Sequence, residues 1–268
     1  MRVGAKTTRG FGEMKVEIRK KEFRLDSQDI EEWLDFNPFR EGAFAVAEKL
    51  TCEEKSDLSS KTEIRIHFDI NGSVLVRVQE ASEKPMEDGT KPDVVTLKNA
   101  KGNPVISGTS WAGAFRHHMN EICSEAGDTQ QKEIDILFGK SDTGSHVKSV
   151  FYFSETEISG GRPMTTMRNS IDRFTGAPTN VALFTTQVWN GGKGVLTISY
   201  DNEKVSKLQK QILAISIIDL YLGIMSIGGE TAVGRGIIHI ESLKINDEES
   251  IDQVEAYNVN MLEEKADE

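Results

Sequence analysis

Apolar residues recur along this chain with two periods, and the switches between them mark its elements. In IRIHFDI (64–70) Ile64, Ile66, Phe68 and Ile70 alternate with polar residues, the period of a strand with one buried face. SVLVRV (73–78) reads as a second strand, EASEKPMEDGTKP (80–92) has the composition of a flexible loop, and 93–97 is short and extended. A helix follows, capped by Thr109 or Ser110, with Trp111, Ala114, Phe115, Met119 and Ile122 on one side, and then a short helix near 134–138. Strands are expected at 149–154, 181–189 and 194–200. The run 204–226 carries Leu208, Ile212, Ile215, Ile218, Leu222 and Met225 at helical spacing, and the loop 228–236 leads into a closing strand, 237–243. The order strand, helix, strands, helix, strand over 64–245 predicts an α+β sandwich, with helices packed on an antiparallel sheet and loops inserted between them.

The flanks read differently. Residues 26–63 form an acidic helical linker, with one helix capped by Asp26 or Ser27 and ended by Pro38, and a second through Phe44, Val46, Ala47 and Leu50. Residues 3–17, VGAKTTRGFGEMKVE, match 227–241, IGGETAVGRGIIHIE, with Gly4/Gly228, Thr7/Thr231, Gly10/Gly234, Gly12/Gly236 and Glu17/Glu241 identical. The segment 1–25 therefore reads as the last loop and strand of a preceding unit, an orphan strand without its sheet. The chain would then be a piece of a longer tandem protein. Residues 246–268 are an acidic tail.

Charge changes this picture only once it is located. The formal net charge of −11 argues against nucleic acid. Yet residues 1–25 hold 8 Lys/Arg against 3 acids, 26–63 hold 4 against 11, 64–245 hold 19 against 20, and the tail holds 1 against 9. The acidity sits in the linker and tail, and the central unit is near neutral with local basic clusters. No run approaches the roughly 20 apolar residues of a membrane span, and the N-terminus lacks the apolar core of a secretory signal. Two isolated cysteines, Cys52 and Cys123, exclude a disulfide framework or a cysteine zinc site and point to a reducing cytosol.

The glycine-rich GGETAVGRG is not a dinucleotide or P-loop site, which needs strand, loop, then helix; here a helix precedes and a strand follows. Its glycines still let the backbone approach a phosphate chain. His117 and His118 are adjacent on a helix and diverge by about 100°, a poor metal chelate. Asp93 ends the loop 80–92, where one carboxylate plus waters suits Mg²⁺ at a phosphate oxygen. Arg168, Arg173 and Phe174, in and beside NSIDRFTGAP (169–178), combine cations with an aromatic on a projecting loop, which suits single-stranded nucleic acid.

Several segments together resemble one family. PVISGTSWAGAFRHHM (104–119) looks like the helix-start motif of the repeat-associated mysterious proteins, the RAMP superfamily of CRISPR systems. LFG (137–139), FYFSETEI (151–158), RNSIDRFTGAP (168–178), LFTTQV (183–188) and GGETAVGRG (228–236) follow in the family's order. The resemblance covers about 64–245 and lies nearest the backbone subunits of type III effector complexes. It implies a ferredoxin-like, RNA-recognition-motif-like core stacked along a guide RNA. Gly108, Ser110 and Arg116 at the helix start, and Gly228, Gly229, Gly234, Arg235 and Gly236 in the loop, would then meet the guide backbone. Lys6 and Arg9 would do so in the first copy, and Arg168, Arg173 and Phe174 would lie near the guide–target duplex. Asp93 falls where target-cleaving subunits carry an aspartate, which implies Mg²⁺ or Mn²⁺ if the chain is catalytic. The motif's proline is Ser107 here and its lysine is Ala112, and Val233 replaces a basic residue before the third glycine.

The expectation is thus a cytoplasmic, prokaryotic subunit that holds guide RNA and complementary target RNA beside other CRISPR effector subunits, away from any membrane, with Asp93 as a metal-assisted ribonuclease residue. Two alternatives stand beside it. One is a stand-alone guide-processing endoribonuclease using His117 or His118; the other is a catalytically inert structural subunit.

Overall fold

The computed structural model describes residues 12, 14, 16–23, 29–50, 60–78, 91–126, 134, 137–142 and 145–246. In chain order the elements are β1 (Ile18–Lys20), α1 (Asp29–Asp35), β2 (Glu48–Leu50), β3 (Lys61–Asn71), β4 (Ser73–Val74), β5 (Val94–Val95), β6 (Val105–Ile106) and α2 (Gly108–Ala126). There follow β7 (Lys140–Asp142), β8 (Ser145–Val147), β9 (Tyr152–Phe153), β10 (Thr156–Glu157), β11 (Arg162–Ile171), β12 (Pro178–Asn190), β13 (Lys193–Asp201), α3 (Lys207–Tyr221) and β14 (Ile237–Ile245).

Strand β3 organises the core. Its alternation is realised residue by residue: Ile64, Ile66, Phe68 and Ile70 are buried, and their neighbours are not. It pairs with β13 on one edge and β14 on the other, both antiparallel, and β9 adds to β13, giving the order β14-β3-β13-β9. With α2 between β3 and β9 and α3 between β13 and β14, this is the fourth-first-third-second order of a ferredoxin-like α+β sandwich. The sequence IIHIESLKI loses its alternation at Glu241–Ser242. The ladder slips there through a bulge, so that Ile238 and Ile240 before it and Leu243 and Ile245 after it all face inward.

The two helices close the same core. In α2, Trp111, Phe115, Met119 and Cys123 lie four residues apart and are buried as one stripe. The Trp111 ring meets Phe68 edge-on at 5.6 Å, and its Nε1 donates to Thr156 Oγ1 at 3.1 Å. Helix α3 opens with a capping box between Ser206 and Gln209 and buries Ile212, Leu213, Ala214, Ile217 and Leu220. Its buried Ser216 hydroxyl donates to the Ile212 carbonyl, so no donor is stranded. No described helix is long and apolar enough to cross a membrane.

The structure departs from the sequence expectations in four places. The cap of α2 is Ser107, whose Oγ accepts from the Ser110 N–H at 3.2 Å; Thr109 and Ser110 are already inside the helix. The segment 168–178 is not a free loop but the end of a long hairpin in which β11 and β12 pair from Arg162↔Asn190 to Ile171↔Pro178. The expected helix through 44–50 is a series of turns followed by β2. Arg19 Nη1 donates to the Phe44 and Ala45 carbonyls at 3.1 and 3.2 Å, taking acceptors a helix would use. The strand at 18–20 is therefore not an orphan, since it pairs with β2 from the linker and a Glu17–Lys49 ion pair of 3.0 Å crosses between them. Most of the repeat copy at 3–17, including Lys6 and Arg9, lies outside the described residues, as do most of the loop 80–92 and the tail beyond 246.

Removing the Trp111 side chain empties the centre of this core. Trp111→Ala should lower the urea-unfolding free energy by about 3–5 kcal/mol, read from the midpoint at unchanged slope.

Candidate nucleic-acid interface

Between α2 and the loop that precedes β14 lies an open cleft of about 430 Å³. The first turns of α2 supply Thr109, Ser110, Gly113 and His117, and the loop supplies Ser226, Gly228, Gly229 and Thr231. The chain just beyond β4 supplies Leu75, Val76 and Arg77. The N-terminal end of a 19-residue helix and a glycine loop thus share one concavity. That arrangement offers backbone N–H groups and the positive end of a helix dipole to an anion.

The loop is held by close backbone approach. Gly229 N–H donates to the Leu75 carbonyl at 2.7 Å and Gly236 N–H to the Ser73 carbonyl at 2.8 Å, while Ile227 N–H donates back to Gly236 at 2.9 Å. A Cβ on Gly228 would overlap the Leu75 carbonyl oxygen, and one on Gly236 the Ile227 carbonyl oxygen; both residues also have positive φ. Gly234, at φ 82°, ends a short 3-10 turn and has open space around it.

Of the residues singled out from sequence, Ser110, Gly228 and Gly229 line the cleft, and Gly108 starts the helix beside it. Arg116 lies on another flank of α2, bordering a smaller cavity of about 170 Å³ with Gly113, Phe138 and Ser149. Arg235, expected at the guide backbone, is enclosed by its own loop. It is 6% exposed, donates from Nε to Glu230 Oε2 at 2.8 Å and from Nη1 to Ser73 Oγ at 2.7 Å, and so braces the loop from inside. Sequence reasoning missed Arg77, which is exposed in the cleft with its Nε only 3.0 Å from where a Cβ on Gly229 would sit. Among the described residues it has no ion-pair partner, and no local signal marks it, because its neighbours come from far along the chain.

The hairpin carries the rest. Phe174 is 98% exposed at its tip beside exposed Arg173, with Ile171 and Leu183 also exposed nearby. Asp172 shapes that tip: its Oδ1 accepts from the Phe174 N–H, the Thr175 N–H and the Thr175 hydroxyl at 2.8–2.9 Å, and these bonds hold its pKa below the usual carboxylate range. Arg168 stands lower on β11, its Nη1 3.3 Å from Glu230 Oε2. Asp93 does not line the cleft. It is exposed and fixed to β12, accepting from the Thr185 N–H at 2.7 Å through Oδ2 and donating its own N–H to the Thr185 carbonyl at 2.8 Å.

The histidines divide. His118 Nε2 lies 2.7 Å from Asp219 Oδ2 between the two helices, whereas His117 reaches the cleft. No group of three His, Cys, Asp or Glu that could hold a metal ion converges among the described residues.

The chain is thus a ferredoxin-like sandwich with a glycine-loop cleft and a projecting hairpin. The family model of the RAMP superfamily matches residues 38–239, and the chain belongs to that superfamily. A search of curated proteins returned no match. Membership supports a CRISPR-associated, RNA-binding role in general terms.

The glycines should separate by surroundings. Gly236→Ala, which drives a methyl into a backbone carbonyl, should cost about 3 kcal/mol or more. Gly234→Ala meets only the left-handed backbone penalty of about 1–2 kcal/mol. Thermal melts of the two variants against wild type check the ordering.

Proposed function

We propose that this chain is an RNA-binding backbone subunit of a type III CRISPR interference complex. The observation that carries the reading is the cleft, where the start of α2, the glycine loop and the exposed Arg77 converge. Guide phosphates would lie against the N–H groups that open α2 and that guanidinium, positioned without reading the bases, and sequence would be read by pairing with the target. Arg173 and Phe174 at the hairpin tip would meet the paired strands, one by charge and one by stacking. Its partners would be guide RNA, complementary target RNA and neighbouring effector subunits in a prokaryotic cytoplasm.

Cleavage would belong to Asp93. The free side of its carboxylate suits one coordination position of Mg²⁺ or Mn²⁺. When bound, such an ion polarises a phosphoryl oxygen and lowers the pKa of a water. The chain's own contribution is placement: two hydrogen bonds to the Thr185 backbone, one from the Asp93 N–H and one to its carboxylate, hold Asp93 at the hairpin. One observation favours a metal-independent guide-processing ribonuclease, namely His117 in the cleft. RNA cleavage by 2′-OH attack, releasing a 5′-hydroxyl end, that persists in EDTA and disappears in His117→Ala would establish that second reading.

Single-stranded RNA affinity across a salt series tests binding. Wild type should bind at about 50 mM salt with affinity falling linearly on a log–log plot. Arg77→Ala, Arg168→Ala and Arg173→Ala together should flatten that slope by about 2, at roughly 0.7 per lost phosphate contact. Absence of binding at low salt would overturn the reading. Asp93→Asn keeps an acceptor for Thr185. It should abolish Mg²⁺-dependent cleavage of guide-paired target while leaving affinity within about twofold of wild type. Cleavage at the wild-type rate would remove Asp93 from the site.

A further inference from the structure

Glu230 stands in the cleft loop at φ 60° and ψ 33°, the left-handed region that costs a glutamate strain which glycine avoids. Glycine occupies nearby loop positions where the backbone turns this way, at Gly228, Gly234 and Gly236. At 230 the chain instead carries a carboxylate, and that carboxylate is only 11% exposed. Its Oε2 accepts from Arg235 Nε at 2.8 Å and faces Arg168 Nη1 at 3.3 Å. Arg235 belongs to the loop, while Arg168 belongs to β11. The second arm of Arg235 reaches the same strand, at Thr166 Oγ1, 3.5 Å away.

Strand β11 makes this contact informative. Along all ten residues only Thr166 and Arg168 are not exposed, and they are the two that meet the network. Two guanidinium groups share one carboxylate, so a surplus positive charge remains at the edge of the loop, on the arginine whose side chain is 39% exposed. An anion in the neighbourhood would be attracted to that surplus, and phosphate is the anion the proposed function supplies.

We propose that Glu230 is a positioning residue that ties the cleft loop to the β11–β12 hairpin, so that RNA held in the cleft also fixes where the hairpin stands. The tie is a property of the chain itself; its use in transmitting RNA occupancy rests on the RNA-binding reading.

Amide hydrogen exchange on the full chain separates the two. Without RNA, Glu230→Gln should speed exchange of β11 amides about fivefold, the scale of losing a partly exposed ion pair worth up to roughly 1 kcal/mol. In Arg168→Gln, which leaves the buried Glu230–Arg235 pair in place, the buried strand β3 and the global unfolding midpoint should move far less, which a general structural defect would not allow. Arg168→Gln should produce the same β11 change, and the double variant no more than either alone. Additive effects, or unchanged β11 exchange in Glu230→Gln, would overturn the tie. Should Glu230→Gln not fold, Arg168→Gln, which keeps the Glu230–Arg235 pair, carries the comparison, and the same β11 acceleration is expected from it. With a uridine homopolymer added, wild type should gain protection in both the loop and β11, and the Glu230 variants in the loop only. Protection of β11 that survives in those variants would refute transmission. A wild type protected nowhere would sink the RNA reading while leaving the RNA-free comparison to decide the tie.

Discussion

The residues just after the Gly72 turn serve two structures at once, and that double use sets most of the rest. Val74 and Ser73 pair with Trp189 and Asn190 of β12, while the carbonyls of Ser73 and Leu75 receive N–H groups from Gly236 and Gly229. One short backbone segment therefore joins the hairpin sheet to the loop that enters β14. Such an approach is open only to residues without a Cβ at 228 and 236, because a methyl at either place would lie inside a carbonyl. Once the loop is drawn in, Arg77 falls beside Gly229, Arg235 reaches the Ser73 hydroxyl, and the cleft against α2 has its shape.

Electrostatics in the cleft follow from geometry more than from composition. The central unit is close to neutral, and basic side chains are sparse where phosphate would bind. Fixed backbone dipoles at the start of α2 compensate, since they are oriented by the fold and need no side-chain ordering on binding. Burying Arg235 is costly unless its donors are met. Glu230 and Ser73 meet them at 2.8 and 2.7 Å, which is why a charged residue can sit inside the loop without unfolding it. Ser107 illustrates the same economy: its side chain caps α2 where the family motif has proline.

Much of this was legible in the sequence because burial on one face leaves a period. The four alternating residues of β3, the stripe on α2 and the apolar run in α3 all carried it, and their order along the chain pointed to an α+β sandwich with helices on an antiparallel sheet; the ferredoxin-like core was what the family resemblance implied. Strand β11 left no such trace. RPMTTMRNSI buries neither face, so its pairing with β12 imposes no alternation, and only the ladder reveals it. Residues 44–50 misled for the opposite reason, since apolar spacing suggested a helix while a remote arginine, Arg19, took the carbonyls. Arg77, Glu230 and the inward turn of Arg235 were beyond local reading. Each depends on partners that the fold brings in from distant parts of the chain: Gly229 for Arg77, Arg168 for Glu230, Ser73 for Arg235.

Asp93 and Glu230 connect to the hairpin from different places, and this bears on how binding and cleavage would be kept in register. Asp93 is bound through its backbone and its carboxylate to Thr185 on β12, opposite Met167 of β11 in the ladder. Arg168, the next residue on β11, faces Glu230 from the loop. A displacement of the hairpin would therefore carry Asp93 with it and strain the Glu230 contact at the same level of the ribbon. On the proposed reading, the Asp93 carboxylate is placed by its hydrogen bonds to the Thr185 backbone. Its position would be set by the same ribbon that the cleft loop holds, so the phosphate grip on one strand would determine where the chemistry falls on the other.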